Sequence, residues 1–225
     1  MRISVIIAAA GSGSRLGGDK PKQFQMLGDR PILTHTLEMF NRHEIIDDIY
    51  VAVPEGYVDH MKELTFQYGF SKVKKILPGG KNRAESIYSA LKLLHGAEIV
   101  LIHDGARPFV TEEIIKTVAE AAAEYGAAVA GIPLTDTIKE TEATNQVIST
   151  PDRNRFWQVQ TPQGFTYELI MKAYAQGGLD QVTDDSALVE RIGANVKMVQ
   201  GHTSNFKVTT KEDLILGEIL LRRHE

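Results

Sequence analysis

Apolar residues dominate five short segments, Ile3–Ala9, Ile49–Val53, Val73–Leu77, Ile99–His103 and Ala127–Ile132, each led by Val, Ile or Ala. Runs this short with little polar alternation predict strands covered on both faces. Between them, Ile32–Phe40, Tyr57–Tyr68, Arg83–Leu94 and Thr111–Tyr125 return an apolar residue every three or four positions, the period of an amphipathic helix. The alternation predicts an α/β fold, a Rossmann-like and mainly parallel sheet with helices on both faces and right-handed crossovers. Ligands of such sheets bind beyond the carboxyl ends of the strands, so the segments after Ala9, Leu77 and His103 carry the first interest.

Two stretches depart from this rhythm. Residues 134–152 are polar, lie around Pro133 and Pro151, and place β-branched residues on both sides of a turn-like Glu142–Asn145. They predict a projecting β-hairpin that reaches over its own site or a second subunit. The closing part reads as helices Tyr167–Ala175 and Asp184–Ile192, the latter capped by Thr183, then a strand Val196–Val199 and a final helix from Lys211 to Arg222. No repeat or linker interrupts the chain, which reads as one domain over residues 1–225.

Composition narrows the partners. With 225 residues and 43% hydrophobic content the chain can bury a full core. Its net charge of −4 gives no overall attraction to nucleic acid or anionic membranes, so any phosphate binding must be local. The absence of cysteine excludes disulfides, thiolate zinc sites and a cysteine nucleophile, and fits a reducing compartment. The first apolar run is too short to span a bilayer and leads into glycines instead of a cleavage pattern, so the expectation is a cytoplasmic protein without a membrane partner.

Chemistry gathers at three strand ends. The segment Ala8-Ala9-Ala10-Gly11-Ser12-Gly13-Ser14-Arg15 follows the first strand, and its glycines let backbone N–H groups approach phosphate oxygens. It fits neither the dinucleotide fingerprint, since Leu16 replaces the third glycine, nor a Walker A loop, since Asp19 follows Gly18. It has instead Arg15 in its middle and Lys20-Pro21-Lys22 behind it, cations that suit a triphosphate whose charge grows during transfer. The second loop, Pro78-Gly79-Gly80-Lys81-Asn82-Arg83-Ala84-Glu85-Ser86, can set backbone groups and Ser86 against a base or phosphate, although a glycine turn with Asn82 capping a helix explains it equally well. The third, His103-Asp104-Gly105-Ala106-Arg107-Pro108, offers Asp104 to Mg²⁺, directly or through water, and Arg107 to an acceptor phosphate. A local Asp104–Arg107 ion pair is the competing reading, and His103 reads as a structural histidine. No zinc-spaced cluster and no serine-nucleophile elbow is present.

Taken together, Ala-Ala-Gly-Ser-Gly-Ser-Arg-Leu, Pro-Lys-Gln-Phe, Gly-Gly-Lys-Asn-Arg-Ala-Glu-Ser, His-Asp-Gly-Ala-Arg-Pro, Thr-Asp-Asp-Ser-Ala and Asn-Phe-Lys-Val-Thr resemble the 2-C-methyl-D-erythritol 4-phosphate cytidylyltransferases, in family order from residue 5 to about residue 217. The resemblance implies transfer of CMP from CTP to that acceptor in non-mevalonate isoprenoid synthesis, with Mg²⁺ and no covalent intermediate. By position it implies Arg15 and Lys22 as stabilisers of the charge at the α-phosphate, and Arg153 and Lys207 as residues that place the acceptor. Ala9, Ala10, Gly11, Gly80 and Ser86 would surround the cytidine, with Gly13 and Lys81 in the same loops. Asp104 would lie near ribose and metal, and Arg107, Thr137 and Thr183 on the acceptor side. It also implies a homodimer in which the hairpin carries Thr137 and Arg153 into the neighbouring subunit's site. Lys81 stands where some relatives carry an acidic residue.

Three rival readings differ at identifiable residues. A ribitol 5-phosphate cytidylyltransferase shares Pro-Lys-Gln-Phe, but such relatives tend toward a Leu-Ala-Gly-Gly start and a His-Asp-Ala-Val-Arg-Pro loop, unlike Ala8–Gly11 and Ala106 here. A nicotinamide oxidoreductase lacks support without the third glycine. A non-catalytic nucleotide-binding regulator would not need Arg15, Lys22, Arg153 and Lys207.

Overall fold

The computed structural model describes residues 1–11 and 20–222. Gly13 and Arg15 therefore lie outside the described residues. The chain runs through β1 (Ile3–Ala8), the short β2 (Met26–Leu27) and β3 (Arg30–Pro31), α1 (Ile32–Arg42), β4 (Asp48–Val53), α2 (Val58–Gln67) and β5 (Val73–Pro78). It continues with α3 (Arg83–Leu91), β6 (Ile99–Asp104), α4 (Glu112–Tyr125), β7 (Ala127–Pro133), and the hairpin β8 (Glu140–Thr141) and β9 (Val147–Ser149). The last part holds β10 (Trp157–Thr166), α5 (Tyr167–Ala175), α6 (Ser186–Arg191), β11 (Lys197–Gln200) and α7 (Lys211–Arg222).

Seven strands form the main sheet in the order β11-β7-β10-β6-β1-β4-β5, parallel except for β10. Strands β4 and β6 are buried at every position because helices cover both faces. On one face Val5, Ile7, Val51 and Leu101 pack with Leu37 and Phe40 of α1, Met61 of α2 and Val118 of α4. On the other, Ile6, Ala52, Val100 and Ile102 pack with Ile87 of α3, Ile170 and Tyr174 of α5 and Leu188 of α6. Each fully buried aliphatic side chain contributes about 1.5–3 kcal/mol, so these two layers, more than helix propensity, hold the strand ends in place.

Several details differ from expectation. Strand β5 was expected to be covered on both faces, but it is the sheet edge and leaves Lys74 and Lys75 exposed, charges that discourage pairing with another chain. Helix α3 ends at Leu91 instead of Leu94, because Leu93 N and Leu94 N bond back three residues, to Ala90 O and Leu91 O. Helix α6 starts at Ser186 with Asp185 at the N-cap position, and the side chain that reaches its first turn is Asp184, whose Oδ1 accepts from Ala187 N at 3.1 Å, where Thr183 was expected.

Strand β10 has no counterpart in the sequence reading. Trp-Gln-Val-Gln-Thr-Pro-Gln-Gly-Phe-Thr is polar and contains Pro162, which cannot donate to a ladder. Pro162 is accommodated because pairing with β7 shifts between Val159 and Gln163. Gly164 lets α4 press close, since a Cβ there would lie 2.9 Å from Val118 Cγ1 and 3.0 Å from Ala122 Cβ.

The hairpin forms as expected around Glu142–Asn145. Asn145 N donates to Glu142 O at 2.9 Å, with Asn145 at φ +65°, a left-handed turn that asparagine tolerates.

Candidate functional site

A cavity of about 570 Å³ opens at the carboxyl ends of β1 and β6, a size that suits a small-molecule ligand. Ala9, Ala10 and Gly11 form one wall, and Gly80 and Lys81 another. Asp104, Lys22 and Lys207 line it as well. The two glycine-containing loops touch, because a Cβ on Gly79 would overlap the Ala10 methyl group. The capping reading of the second loop holds, since Asn82 Oδ1 caps α3 by accepting Glu85 N at 2.8 Å, and the loop also lines the cavity. Its shape is held by Ser86, whose Oγ accepts Gly80 N at 2.9 Å and donates to Asn82 O at 2.8 Å.

Lys22 begins a 3₁₀ turn, Lys22–Phe24, pinned from two sides. Buried Gln23 donates its amide to Ala9 O and to Gly11 O, tying the turn to the first loop. Phe24 stacks on Tyr57 with ring centroids 4.6 Å apart. Lys22 Nζ donates to Val208 O at 3.2 Å, joining groups 186 residues apart. Residues 205–208 are seated in turn by Val208 N donating to Ala106 O at 2.8 Å and by Arg107 Nη1 donating to Asn205 O at 2.8 Å. A small third core of Leu27, Ile32, Ala106 and Val208 lies beneath them.

Asp104 is the electrostatic centre. Its Oδ1 accepts Arg83 Nε at 3.1 Å and its Oδ2 accepts Lys207 Nζ at 2.8 Å, with Arg107 Nε 3.8 Å away. Burial by itself would raise the Asp104 carboxyl, but Arg83, Lys207 and Arg107 outweigh it and hold the group well below the usual carboxylate range. Its three cations thus favour the carboxylate form of Asp104. The competing reading, an Asp104–Arg107 ion pair, is present at 3.8 Å, within a larger network. Arg107 is largely buried behind Asp104 and does not line the cavity.

His103 has the structural part expected of it. Thr161 Oγ1 accepts Asp104 N at 3.1 Å, which leaves its hydroxyl proton for His103 Nδ1 at 3.0 Å. That assigns the ring proton to Nε2, which donates to Arg107 O at 3.1 Å. Burial pushes the imidazole down to about 3, against the hydrogen bond to Arg107 O. Between the unfolded value near 6.5 and this folded value only the unfolded chain takes up the proton. The ring therefore favours the fold above pH 6.5, and that stability is lost as pH falls towards 3. The slope is about 1.4 kcal/mol per pH unit, or about 2 kcal/mol between pH 6.5 and pH 5. Denaturant unfolding at the two pH values should show this loss in the wild type and its absence in His103→Gln; parallel acid limbs would disprove it.

The cavity thus unites Ala9, Ala10, Gly11, Lys22, Gly80, Lys81, Ser86, Asp104 and Lys207. Thr137, Arg153 and Thr183 are exposed and do not line it; Arg153 Nη1 donates to Thr135 O at 2.6 Å, at the base of the hairpin. Sequence reasoning missed Gln23 and Arg83, although both stand inside motifs it singled out. It gave no part to Asp185 either, although this residue stands inside the Thr-Asp-Asp-Ser-Ala motif, and it missed Thr161 and Gln163, whose polar character gave no periodic signal. Among the described residues no group of three His, Asp or Glu side chains is arranged to hold a metal, and no helix is long and apolar enough to cross a membrane.

A sequence model of the 2-C-methyl-D-erythritol 4-phosphate cytidylyltransferase family matches residues 3–223. The protein of that name from Halalkalibacterium halodurans is 44% identical, with 100% of this chain and 99% of the relative covered. Its namesake from Alkaliphilus oremlandii is 43% identical, over 98% of this chain and 95% of its own. The crystal structure of the 4-diphosphocytidyl-2C-methyl-D-erythritol synthase of Anaerococcus prevotii superposes with a TM-score of 0.86 at 34% identity, covering 99% of this chain and 96% of that one.

Proposed function

The chain belongs to the 2-C-methyl-D-erythritol 4-phosphate cytidylyltransferase family, and from that membership we propose that it transfers CMP from CTP to 2-C-methyl-D-erythritol 4-phosphate. The products are pyrophosphate and 4-diphosphocytidyl-2-C-methyl-D-erythritol. The observation that carries the reading is the meeting of Lys22, Lys207 and Asp104 in one cavity between two glycine-containing loops. Among the described residues the hydroxyls that line the cavity are engaged elsewhere, Ser86 Oγ donating to Asn82 O and Thr209 Oγ1 to Lys207 O, so neither is set up as a nucleophile.

A phosphate oxygen of the acceptor attacks the α-phosphorus, the bond from that phosphorus to the bridging oxygen breaks, and pyrophosphate leaves with the electron pair. Placement and charge neutralisation drive such a step. Lys22, with Arg15 from the same part of the chain, stabilises the charge that grows on the α-phosphate and leaving group. Lys207 and Arg153 hold the acceptor phosphate. Magnesium, carried in with the nucleotide, would supply neutralisation of phosphate charge. Asp104 is the one carboxylate among the described cavity-lining residues, and each of its oxygens keeps a lone pair beyond its cation, which suits a metal-bound water.

The hairpin arm is assigned to a homodimer contact. Val147, Ile148, Phe156, Trp157 and Val159 are exposed on and beside it, an apolar group that favours a partner surface. Thr137 and Arg153 then serve the second copy's cavity, in keeping with their absence from the lining of their own. The lack of cysteine supports the cytoplasm as the compartment.

Pyrophosphate release tests the reading. Purified protein with Mg²⁺ is given each nucleoside triphosphate with either methylerythritol phosphate or ribitol 5-phosphate. Turnover is expected with CTP and methylerythritol phosphate; turnover with ribitol phosphate alone, or none with CTP, rejects it.

A further inference from the structure

Arg83, the first residue of α3, spans two carboxylates that come from opposite sides of the site. Its Nε meets Asp104 Oδ1 at 3.1 Å and its Nη1 meets Asp185 Oδ2 at 2.8 Å. Asp185 is 1% exposed. Its Oδ1 accepts the Tyr174 hydroxyl at 2.5 Å, and its backbone N donates to Gln163 Oε1 at 3.1 Å. Asp185 Oδ2 has no aligned hydrogen bond, and the Arg83 guanidinium is the cation beside it. Lys207, Asp104, Arg83 and Asp185 thus form an unbroken chain of alternating charge, from the cavity to the start of α6.

A buried ion chain is a weak source of stability, because desolvating each charge offsets the attraction, and well-packed apolar residues would serve the core as well or better. What it supplies is orientation. A planar guanidinium can hold two carboxylates in one fixed geometry, which an ammonium on a flexible stem cannot do. We propose that Arg83 and Asp185 are a positioning pair, which locks the Asp104 carboxylate so that its other oxygen sets Lys207 for the acceptor phosphate. This rests on the reading of Lys207 as an acceptor residue. Tyr174 and Gln163 extend the pair into the core and keep Asp185 from following its partner.

Steady-state kinetics with CTP and methylerythritol phosphate varied separately test the pair in Arg83→Lys, Asp185→Asn and the double variant. Arg83→Lys keeps the charge and Asp185→Asn keeps the shape, so at least one is expected to fold with a Tm close to wild type. Each single change should raise the KM for the acceptor about tenfold and lower kcat, with the KM for CTP within about threefold of wild type. The double variant should cost no more than the worse single one, because both break the same chain. Equal rises in both KM values, or multiplicative losses in the double variant, overturn the proposal. Lys207→Ala is the control: an unchanged acceptor KM there removes the reading of Lys207, whereas a large rise there with normal Arg83 and Asp185 variants removes only the pair.

Discussion

Lys22→Ala is expected to lower kcat by about 10²–10³-fold while the KM for CTP moves by less than about threefold. The reason lies in when the charge appears. Bound CTP already carries its negative charges, and several backbone and side-chain groups share them. During transfer, charge grows on the α-phosphate oxygens and the departing pyrophosphate, and a donor aimed there acts more strongly on the transition state than on the ground state. Lys22 is placed before the substrate arrives: Gln23 ties its turn to Ala9 O and Gly11 O, Phe24 anchors it on Tyr57, and Nζ rests near Val208 O. Little reorganisation remains to be done during the reaction. Steady-state and single-turnover rates on the variant decide the matter. A loss that falls wholly in the KM for CTP would make Lys22 an ordinary binding residue.

The same reasoning explains how a protein of net charge −4 can bind a triphosphate. Among the described lining residues Lys22, Lys81, Arg83 and Lys207 stand against one carboxylate, Asp104, with Asp185 behind Arg83, so cationic charge is concentrated where phosphate must sit. At physiological ionic strength exposed charges are screened within about 8 Å, and a site-level excess of cations therefore matters more than the overall balance. Asp104 does not cancel this field so much as arrange it, since its two oxygens set the directions of Arg83 and Lys207.

Much of this was legible along the chain. Strands β1, β4 and β6 declare themselves because burial on both faces leaves little room for polar side chains. The loops after β1, β5 and β6 stand out because each puts glycine beside a cation at a strand end, although for the loop after β5 a helix cap accounted for the pattern equally well. Strand β10 escaped for the opposite reason. Its Gln160, Thr161 and Gln163 are buried polar residues satisfied by partners far away, Gln160 by His202 O, Thr161 by His103 and Gln163 by Asp184, Asp185 and Ser186. Periodicity detects burial only through apolar side chains, so a strand whose interior consists of hydrogen-bonded props reads as a loop. Arg83 was hidden differently, since a cation in the first turn of a helix looks like solvated surface until its two carboxylates are seen.

The hairpin leads to the second large effect. If Thr137 and Arg153 serve the neighbouring subunit's cavity, an arm variant and a core variant should rescue each other. Arg153→Ala spoils the arm and Lys207→Ala spoils the core, and each alone should be nearly inactive because acceptor placement fails at every site. When the two are unfolded together and refolded at equal amounts, random pairing makes about half of the dimers mixed. In each mixed dimer one cavity receives an intact core and an intact arm, while the other receives both defects, so roughly one quarter of wild-type activity should return. Mixing without subunit exchange should restore nothing, which separates complementation from residual activity. Refolded mixtures no more active than the average of the two variants would show that Arg153 and Lys207 act within one chain. The exposed Trp157 and Phe156 would then need another explanation, because a single chain keeps Arg153 engaged with Thr135 O and away from its own cavity.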